Sequence, residues 1–424
     1  MDKLSFFSFF GYKGELLLSR IVMKFGGTSV GNTERIRNVA QRVIRETAKG
    51  HEIVVVVSAM GKTTDELVKL AKDLASEPSK REMDMLLSTG EQVTISLLTM
   101  ALKHMGQDAI SFTGWQAGIG TESIHSNARI EHIDSTRIEQ SLRDGKVVVV
   151  AGFQGMDSFG ELTTLGRGGS DTTAVALAAS LNAKQCDIYT DVDGIYTSDP
   201  RYVDHARKLS ELSYDEMLEL ANLGAGVLHP RAVEFAKNYG IPLSVRSSLS
   251  DEEGTILLEE PTMEKNLIVR GVAFETEIVR LTIGYEIPFN GSLAKIFTTL
   301  AKNHINVDII VQSIMEGTQP SVSFSIKKED FAECIQVLET NKENLGYQSS
   351  NFEIGLAKVS IVGSGMVSNP GVAAQMFDRL RIEGIPVKMV STSEIKVSVV
   401  VPEVDMIRAT KALHDEFGLA AIPV

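Results

Sequence analysis

The sequence predicts an α/β protein with a mostly parallel sheet, followed by two ferredoxin-like βαββαβ units. Residues 52–60, 146–153 and 185–192 are continuous apolar runs, which are typical of strands covered on both faces. Helical stretches separate these runs, and a repeated strand–helix–strand order indicates a parallel sheet. Residues 280–313 and 358–393 match at a fixed offset, so the second part of the chain contains an internal repeat.

Composition excludes several classes of protein. The chain has 424 residues and a net charge of −13, which argues against non-specific nucleic-acid binding and against an anionic membrane surface. Hydrophobic residues make up 43% and charged residues 23%, as in soluble globular proteins. Cys186 and Cys334 have no metal-ligand spacing, so we expect two buried thiols in a reducing, cytoplasmic compartment.

The first elements can be placed in order. Residues 1–20 contain an apolar run broken by Gly11 and Gly14, which indicates a leader or an over-long start rather than a signal peptide or a membrane span. A first strand then ends near Lys24. The next helix begins at Asn32 or Thr33 and stops before Gly50.

The stretch MKFGGTSV (residues 23–30) places Lys24 before two glycines, the reverse of the Walker order. Gly26 and Gly27 lack Cβ atoms, so the backbone can turn sharply and a phosphate can approach the amides. Lys24 at the strand end is then a positive charge aimed into the same space. Taken alone, these letters also fit a strand exit with a solvated lysine.

Two further strand exits carry polar groups. SAMGKTTDEL (residues 58–67) offers Ser58 and Thr64 after the second strand, although a helix cap is the plain alternative. STGEQVTISLL (residues 88–98) places Glu91 in the first turn of an apolar helix, where an acid commonly complements the helix dipole.

The stretch LGRGGSDTTA (residues 165–174) is the most informative. Arg167 lies between glycines, just before Ser170 and Asp171 open a helix of small residues. An arginine in a glycine turn at a helix N-terminus suits bidentate binding of a carboxylate or phosphate. The later stretch YTDVDGIYTSDPR (residues 189–201) resembles a calcium loop only weakly, because the terminal glutamate is missing, and we predict no dedicated metal ligands.

Taken together, these motifs in this order resemble the aspartokinases of the amino-acid kinase superfamily, and the repeat resembles their two ACT domains. The resemblance implies a leader at 1–20, a three-layer amino-acid kinase catalytic domain at 21–258, a linker at 259–279, and ACT domains at 280–345 and 356–420. It also implies ATP-dependent phosphorylation of the side-chain carboxylate of L-aspartate to 4-phospho-L-aspartate. That reaction opens the diaminopimelate route to lysine, threonine and methionine.

The resemblance also assigns roles to residues. Lys24 and Asp171 would be catalytic, with Asp171 positioning Lys24, and Mg²⁺ would be held mainly by ATP and water. The aspartate site would comprise Ser58, Thr64, Glu91, Arg167 and Ser170. The ATP site would comprise Lys24, Gly26, Gly27, Thr190, Asp191, Tyr196, Asp199 and Arg201.

For the ACT domains, the resemblance implies a feedback amino acid, lysine or threonine, bound by Asn306, Val307, Asp308 and Gln312. It also implies a homo-oligomer formed through these domains. Some family members have a separate regulatory subunit, which in this chain would start near Met263. Two positions depart from some relatives: Gly226 replaces a nucleotide-contacting lysine, and Pro288 replaces an acid. The alternatives are another carboxylate kinase of the same fold, or a non-catalytic amino-acid sensor.

Overall fold

The computed structural model describes residues 19–223, 227–261, 268–285, 292–314 and 320–420. The chain divides into two compact units. The first contains Met1–Gly194 and Arg231–Glu259, and the second contains Ile195–Pro230 and Glu260–Val424. Three positions singled out in the sequence lie outside the described residues: Gly226, Met263 and Pro288.

The strands, in chain order, are β1 (Arg20–Phe25), β2 (Glu52–Val57), β3 (Ala109–Phe112), β4 (Ile119–Thr121), β5 (Ile130–Ile133), β6 (Val147–Ala151), β7 (Gln154–Met156), β8 (Leu162–Thr164), β9 (Gln185–Thr190), β10 (Glu211–Ser213), β11 (Leu243–Ser247), β12 (Thr255–Leu258), β13 (Gly271–Gly284), β14 (Ile310–Ser313), β15 (Ser321–Lys327), β16 (Ser349–Val362), β17 (Met389–Thr392) and β18 (Lys396–Pro402). The α-helices are α1 (Thr33–Ala48), α2 (Thr63–Leu74), α3 (Lys80–Leu87), α4 (Thr89–His104), α5 (Thr136–Arg143), α6 (Gly169–Ser180), α7 (Tyr214–Asn222), α8 (Pro230–Tyr239), α9 (Ser292–Lys302), α10 (Phe331–Thr340), α11 (Lys342–Leu345), α12 (Val372–Ile382) and α13 (Met406–Glu416).

The main sheet of the first unit runs β12-β11-β9-β1-β2-β6-β3. Every pair in this series is parallel except β11 with β12. The valine-rich strands β2 and β6 are buried almost throughout, because helices cover both faces of the sheet. The predicted mostly parallel α/β fold is therefore confirmed. A smaller sheet, ordered β5-β4-β7-β8, accompanies it.

One face of the main sheet is covered by α1 and α4. Asn32 caps α1 by accepting a hydrogen bond from the Arg35 amide, and the helix ends before Gly50, which has a positive φ of 88°. Ile36, Val39 and Val43 form its buried stripe and join the core under β1 and β2. On the other face, α6 contacts β1 and is buried from Gly169 to Ala178, which its small residues permit.

One described stretch, Lys80–His104, is long and apolar enough to cross a membrane by length and composition alone. It comprises α3 and α4, which break at Ser88. Ile95, Leu98 and Leu102 are buried in the core of the first unit. Packing of this face therefore accounts for the apolar composition, as in a core helix of a globular protein.

The second unit contains a six-stranded antiparallel sheet in the order β14-β15-β13-β16-β18-β17. Its two central strands, β13 and β16, are each 14 residues long, and both ferredoxin-like folds share them. Residues 278–284 and 349–353 complete the first fold, with α9 and α10. Residues 271–275 and 358–362 complete the second fold, with α12 and α13.

The shared strands change the outline predicted from the sequence. Residues 271–279, which the sequence assigns to a linker, form the first part of β13. The pattern is hard to read there because the register with β16 shifts between Glu275 and Ile278, and Glu277 takes a left-handed φ of 58°. Each half of the sheet has its own core, one including Phe324 and Leu300 and the other including Val399 and Leu413.

Residues 195–230 also belong to the second unit, although the sequence places them within the 21–258 domain. The Val272 amide donates to the Thr197 carbonyl at 2.8 Å. Glu216 is fully buried, and one of its carboxylate oxygens accepts hydrogen bonds from the amide and hydroxyl of Ser364 at 2.9 and 2.8 Å. These long-range partners lie about 75 to 150 residues away in sequence, so no local pattern announces them.

Candidate active site

The carboxyl ends of four neighbouring strands are tied together by backbone hydrogen bonds. The Ser58 amide donates to the Phe25 carbonyl at 3.2 Å, which joins the exits of β2 and β1. Gly26 donates to the Tyr189 carbonyl of β9 at 3.2 Å, and Gly152, after β6, donates to Val57 at 3.0 Å. The loops that carry the candidate residues therefore converge at one edge of the sheet, where ligands of open α/β sheets bind.

Lys24 and Asp171 meet at this edge. The Lys24 ammonium lies 2.6 Å from a carboxylate oxygen of Asp171, and each residue is 8% exposed. Lys24 comes from the end of β1 and Asp171 from the first turn of α6, which packs on β1. A buried charge is costly unless it is paired, so the carboxylate holds the ammonium in place.

Gly26 and Gly27 shape the space beside the ammonium. A Cβ atom at Gly26 would lie 3.6 Å from the Lys24 nitrogen, so the missing side chain leaves that side of the charge open. A Cβ at Gly27 would lie 2.8 Å from the Ala59 carbonyl oxygen, which is too close for any side chain. Gly27 therefore allows the turn after β1 to pack against the loop after β2.

Glu91 is 3% exposed and lies in the first turn of α4. One carboxylate oxygen accepts a hydrogen bond from the Ala59 amide at 3.1 Å. The other is buried and has no hydrogen-bond partner among the described residues. Burial raises the pKa of Glu91 to about 7, although hydrogen bonds from its own amide, from Ala59 and from Gln154 act in the opposite direction. A buried acceptor of this kind is suited to a cationic ligand group.

Arg167 is exposed in the glycine turn before α6 and makes no hydrogen bond or ion pair with the residues that the structure describes. Gly166 and Gly168 both have positive φ values, 76° and 67°, so the turn requires them. The Arg167 guanidinium is thus available to an anion. Ser170, in the following turn, is buried, and its hydroxyl would lie 2.7 Å from a Cβ atom at Gly152.

The remaining predicted aspartate contacts follow β2. Ser58 is half-buried directly after the strand, and Thr64 is half-buried in the first turn of α2. The Thr63 hydroxyl, next to Thr64, donates to the Met60 carbonyl at 2.7 Å, which fixes the loop between them. The structure thus places Ser58 and Thr64 on either side of the loop that Gly27 packs against.

The predicted nucleotide contacts fall in both units. Thr190 ends β9 beside β1, and its hydroxyl donates to the carboxylate of the exposed Asp191 at 3.0 Å. The others belong to the second unit. There Tyr196 pairs with Lys208 in a β-bridge, while the Arg201 guanidinium lies 2.6 Å from Asp199 and lowers the pKa of that carboxyl.

Two supporting residues are absent from the site predicted from the sequence. Gln154 is fully buried, donates to the Ser88 carbonyl at 2.9 Å, and accepts from the Gly114 amide at 3.5 Å. Arg231 donates to the carbonyls of Leu165 and Ala128 at 2.7 and 3.1 Å, so its guanidinium holds the strand that precedes the Arg167 turn. The available signal for Gln154 was a polar residue immediately after an apolar strand.

The predicted effector residues lie in the first ferredoxin-like fold. Asn306 and Gln312 are exposed, and Val307 is half-buried. Asp308 is half-exposed and lies 2.5 Å from the ammonium of Lys358, which also contacts Glu275 at 2.8 Å. Burial opposes the charge on Lys358, but the hydrogen bonds that its ammonium donates to Asp308 and Glu275 outweigh burial and raise the pKa of Lys358.

Comparison with known proteins shows the family of the chain. Residues 19–247 match the amino acid kinase family, and residues 290–341 and 359–417 match an ACT domain. The chain is 67% identical over 405 residues to an aspartokinase of Bacillus sp. (strain MGA3), covering 95% of this chain and 98% of that protein. The chain belongs to the aspartokinase family.

Other aspartokinases extend the likeness. Aspartokinase 2 of Bacillus subtilis (strain 168) is 64% identical over 403 residues, covering 95% of this chain and 98% of that protein. The crystal structure of E. coli aspartokinase III in complex with aspartate and ADP, in the R-state, is 27% identical, with a TM-score of 0.80. It covers 93% of this chain and 99% of that chain. The predicted aspartokinase with ACT domains is therefore confirmed.

Proposed function

We propose that this chain transfers the γ-phosphoryl group of ATP to the side-chain carboxylate of L-aspartate, giving 4-phospho-L-aspartate and ADP. The observation that supports the residue assignment is the buried Lys24–Asp171 pair, which stands beside Gly26 at the edge where four strand ends converge. As an aspartokinase, the enzyme would open the diaminopimelate route to lysine, threonine and methionine.

Substrate binding would use the groups left without protein partners. The Arg167 guanidinium would clamp the α-carboxylate of aspartate, because a planar fork matches two carboxylate oxygens. The free oxygen of Glu91 would accept the substrate ammonium. Ser58, Thr64 and Ser170 would complete the pocket with hydroxyl groups, leaving the side-chain carboxylate to face the nucleotide.

The chemical step needs no base, since the attacking carboxylate is already ionised at neutral pH. One of its oxygens forms a bond to the γ-phosphorus while the bond between that phosphorus and the bridging oxygen of ADP breaks. The main task is to bring two anions together in line, and positioning and cations serve it. Lys24 would neutralise charge on the transferring phosphoryl oxygens, and Asp171 would keep the ammonium directed there.

In the first unit, nucleotide binding would use the amides of Gly26 and Gly27 with Thr190 and Asp191. Tyr196, Asp199 and Arg201 of the second unit stay predicted nucleotide contacts. Mg²⁺ would travel with ATP and neutralise phosphate charge when bound. Asp171 is already paired with Lys24, so we assign the ion chiefly to phosphate oxygens and water rather than to a protein ligand set.

Substrate identity is tested by a panel of acids with ATP and Mg²⁺, including aspartate, acetylglutamate and glutamate. We expect turnover with aspartate and little with the others. An enzyme that is inert towards aspartate but phosphorylates another acid would refute the assignment.

Feedback control would act through Asn306, Val307, Asp308 and Gln312, with lysine or threonine as effector. E. coli aspartokinase III has been solved with lysine and aspartate in the T-state, and that chain is 26% identical with a TM-score of 0.74. Activity assays with lysine, threonine and methionine, singly and in pairs, identify the effector. Full-length enzyme is required, because deleting residues after Glu260 would strip Thr197 and Glu216 of their buried partners.

The exposed sheet edge of the second unit bears on assembly. β14 is an edge strand that is exposed along its whole length, with Ile310 and Val311 at 48% and 40% exposure, and such an edge favours pairing with another chain. We propose a homo-oligomer through the ACT folds; mass measurement of the native complex would also reveal a separate subunit starting near Met263. Both cysteines are buried and free, as the reducing cytoplasm allows.

A further inference from the structure

His205, His414 and Asp415 form a compact cluster in the second unit, and none of the three is assigned above to substrate or effector. Each offers one ligand atom, and these atoms all lie within 4.8 Å of one another. His205 comes from the 195–230 segment, whereas His414 and Asp415 come from the last turn of α13. The cluster therefore joins two stretches of chain that are far apart in sequence.

His414 is fully buried, and its Nδ1 atom has no hydrogen-bond partner among the residues described. Its other ring nitrogen, Nε2, lies 2.9 Å from the Thr197 hydroxyl oxygen. An orphaned polar atom in a fully buried side chain is uncommon and requires an explanation.

The neighbours of Thr197 decide which nitrogen of His414 carries the proton. The Thr197 hydroxyl donates its single hydrogen to the Leu419 carbonyl at 3.2 Å, and it accepts from the Arg207 amide at 2.9 Å. With that hydrogen committed, His414 Nε2 must be the donor to Thr197. A proton on Nδ1 would be a buried donor without an acceptor among the described residues, so the neutral ring with Nδ1 unprotonated is favoured. Nδ1 therefore presents an unshared electron pair.

The other two members of the cluster are open to solvent. The side chains of His205 and Asp415 are 45% and 53% exposed, and they hydrogen-bond each other at 2.8 Å. The two imidazole rings meet edge to face with centroids 5.2 Å apart. A buried nitrogen thus lies beside an imidazole and a carboxylate that are open to solvent, which leaves a route for an ion.

We propose that His205, His414 and Asp415 bind a transition-metal ion of the Zn²⁺ type. Two imidazole nitrogens and one carboxylate, completed by water, suit Zn²⁺, whereas Mg²⁺ prefers an all-oxygen shell. The hydrogen bond from His414 to Thr197 corresponds to the outer contact that orients most metal-binding histidines. Bound metal would fasten the 195–230 segment to α13 and stabilise the second unit.

The test is Zn²⁺ binding to metal-depleted, full-length protein without nucleotide, measured by competition with a chromophoric chelator. We expect one Zn²⁺ per chain and an increase in thermal stability on binding. Co²⁺ should give the visible absorption of a low-symmetry site. Cys186 and Cys334 are both buried and their pKa values are raised, so neither thiol competes at this step.

His205→Ala and Asp415→Asn are the informative variants, because both side chains are exposed and His414 is a core residue. Each should weaken Zn²⁺ binding at least tenfold and abolish the thermal shift. His104→Ala, which removes an exposed histidine at the end of α4, should bind as the wild type does. The proposal is overturned if the wild type takes up no Zn²⁺, or if neither cluster variant weakens its binding.

Discussion

Two buried lysines, one in each unit, form similar ion pairs in different surroundings. Lys24 and Lys358 both lie on strands, are 8% and 7% exposed, and contact a carboxylate at 2.6 and 2.5 Å. Lys358 is enclosed by two carboxylates, those of Asp308 and Glu275. Lys24 has one carboxylate, and Gly26 leaves its other side open.

The two lysines are alike in burial and in having a carboxylate partner, and they differ in the number of carboxylates around the ammonium. We infer that an ammonium with one carboxylate partner can still bind a ligand, whereas an ammonium with two stabilises the fold. An ammonium has three donors. At Lys358 two carboxylates compete for them, whereas at Lys24 the geometry leaves donors for an incoming anion. The exposed Arg167, which lies in the same loop system as Asp171, adds a second cation.

The largest effect is expected from Lys24→Ala. It should lower kcat by about 10²- to 10³-fold with little change in aspartate KM, because the lost charge acts on the transition state. Steady-state kinetics with saturating ATP measures this. Lys358→Met is the matched control and should keep kcat within a few-fold while lowering the thermal midpoint. Equal losses of kcat in Lys24→Ala and Lys358→Met would contradict a catalytic role that is specific to Lys24.

Arg167→Lys should raise the aspartate KM by about 10- to 100-fold, since a point charge cannot replace a bidentate fork. The ATP KM should change little. Arg143→Lys, on the exposed face of α5, controls for general effects of the exchange. An unchanged aspartate KM in Arg167→Lys would remove the guanidinium from the substrate site.

Glu91 predicts a pH dependence. Burial raises the pKa of Glu91 in the folded chain to about 7, above the ordinary value of 4.5. Between these two pH values, the folded chain keeps a proton on Glu91 that the unfolded chain has lost. The free energy of unfolding should therefore fall as pH rises from about 5 through 7, and Glu91→Gln should flatten that decline. Thermal melts of ligand-free protein across this range measure it.

The same group should govern aspartate binding. The substrate ammonium favours ionised Glu91, so aspartate KM should fall as pH rises through 7. Glu91→Gln keeps an acceptor for the Ala59 amide but lacks the charge, and its KM should be about tenfold higher at pH 8. The proposed role of Glu91 fails if the two enzymes show parallel KM profiles.

The smallest effect is expected beside Lys358, whose ammonium contacts two carboxylates. Asp308→Asn should weaken feedback inhibition about 5-fold or more, within the usual ~1–3 kcal/mol of allosteric coupling, while leaving uninhibited activity near normal. Lys358 would retain Glu275 as its partner, so the fold should survive. Inhibition curves with the identified effector decide it, and an unaltered curve would place the effector elsewhere.

Much of the catalytic unit could be predicted from the sequence because its signals are local. The α1 boundaries follow from the Asn32 cap and Gly50, and strand-exit motifs bring Lys24, Ser58 and Arg167 to one edge. The Lys24–Asp171 contact itself depends on how α6 packs on β1, which no spacing in the sequence encodes. The unsatisfied oxygen and raised pKa of Glu91 likewise arise only from three-dimensional burial.

The second unit was harder to predict because its decisive contacts are distant. The internal repeat announced two ferredoxin-like folds, but each copy displayed only five of its six elements. The missing strands are 349–353 and 271–275, and neither falls within the stretches that repeat. The segment around Thr197 and Glu216 joins this unit through buried hydrogen bonds that span more than 70 residues.

Because β13 and β16 are shared, the two ferredoxin-like folds are coupled in unfolding. β13 and β16 pair along nearly their full length, from Gly271 with Val362 to Gly284 with Ser349. A chain break between the repeats would take a strand from each ferredoxin-like fold, so neither copy is a separable module. Opening one end of the ladder weakens the other, which makes the pair a single cooperative unit in native-state hydrogen exchange. The amides of residues 279–283 and 359–361 should therefore share one opening free energy.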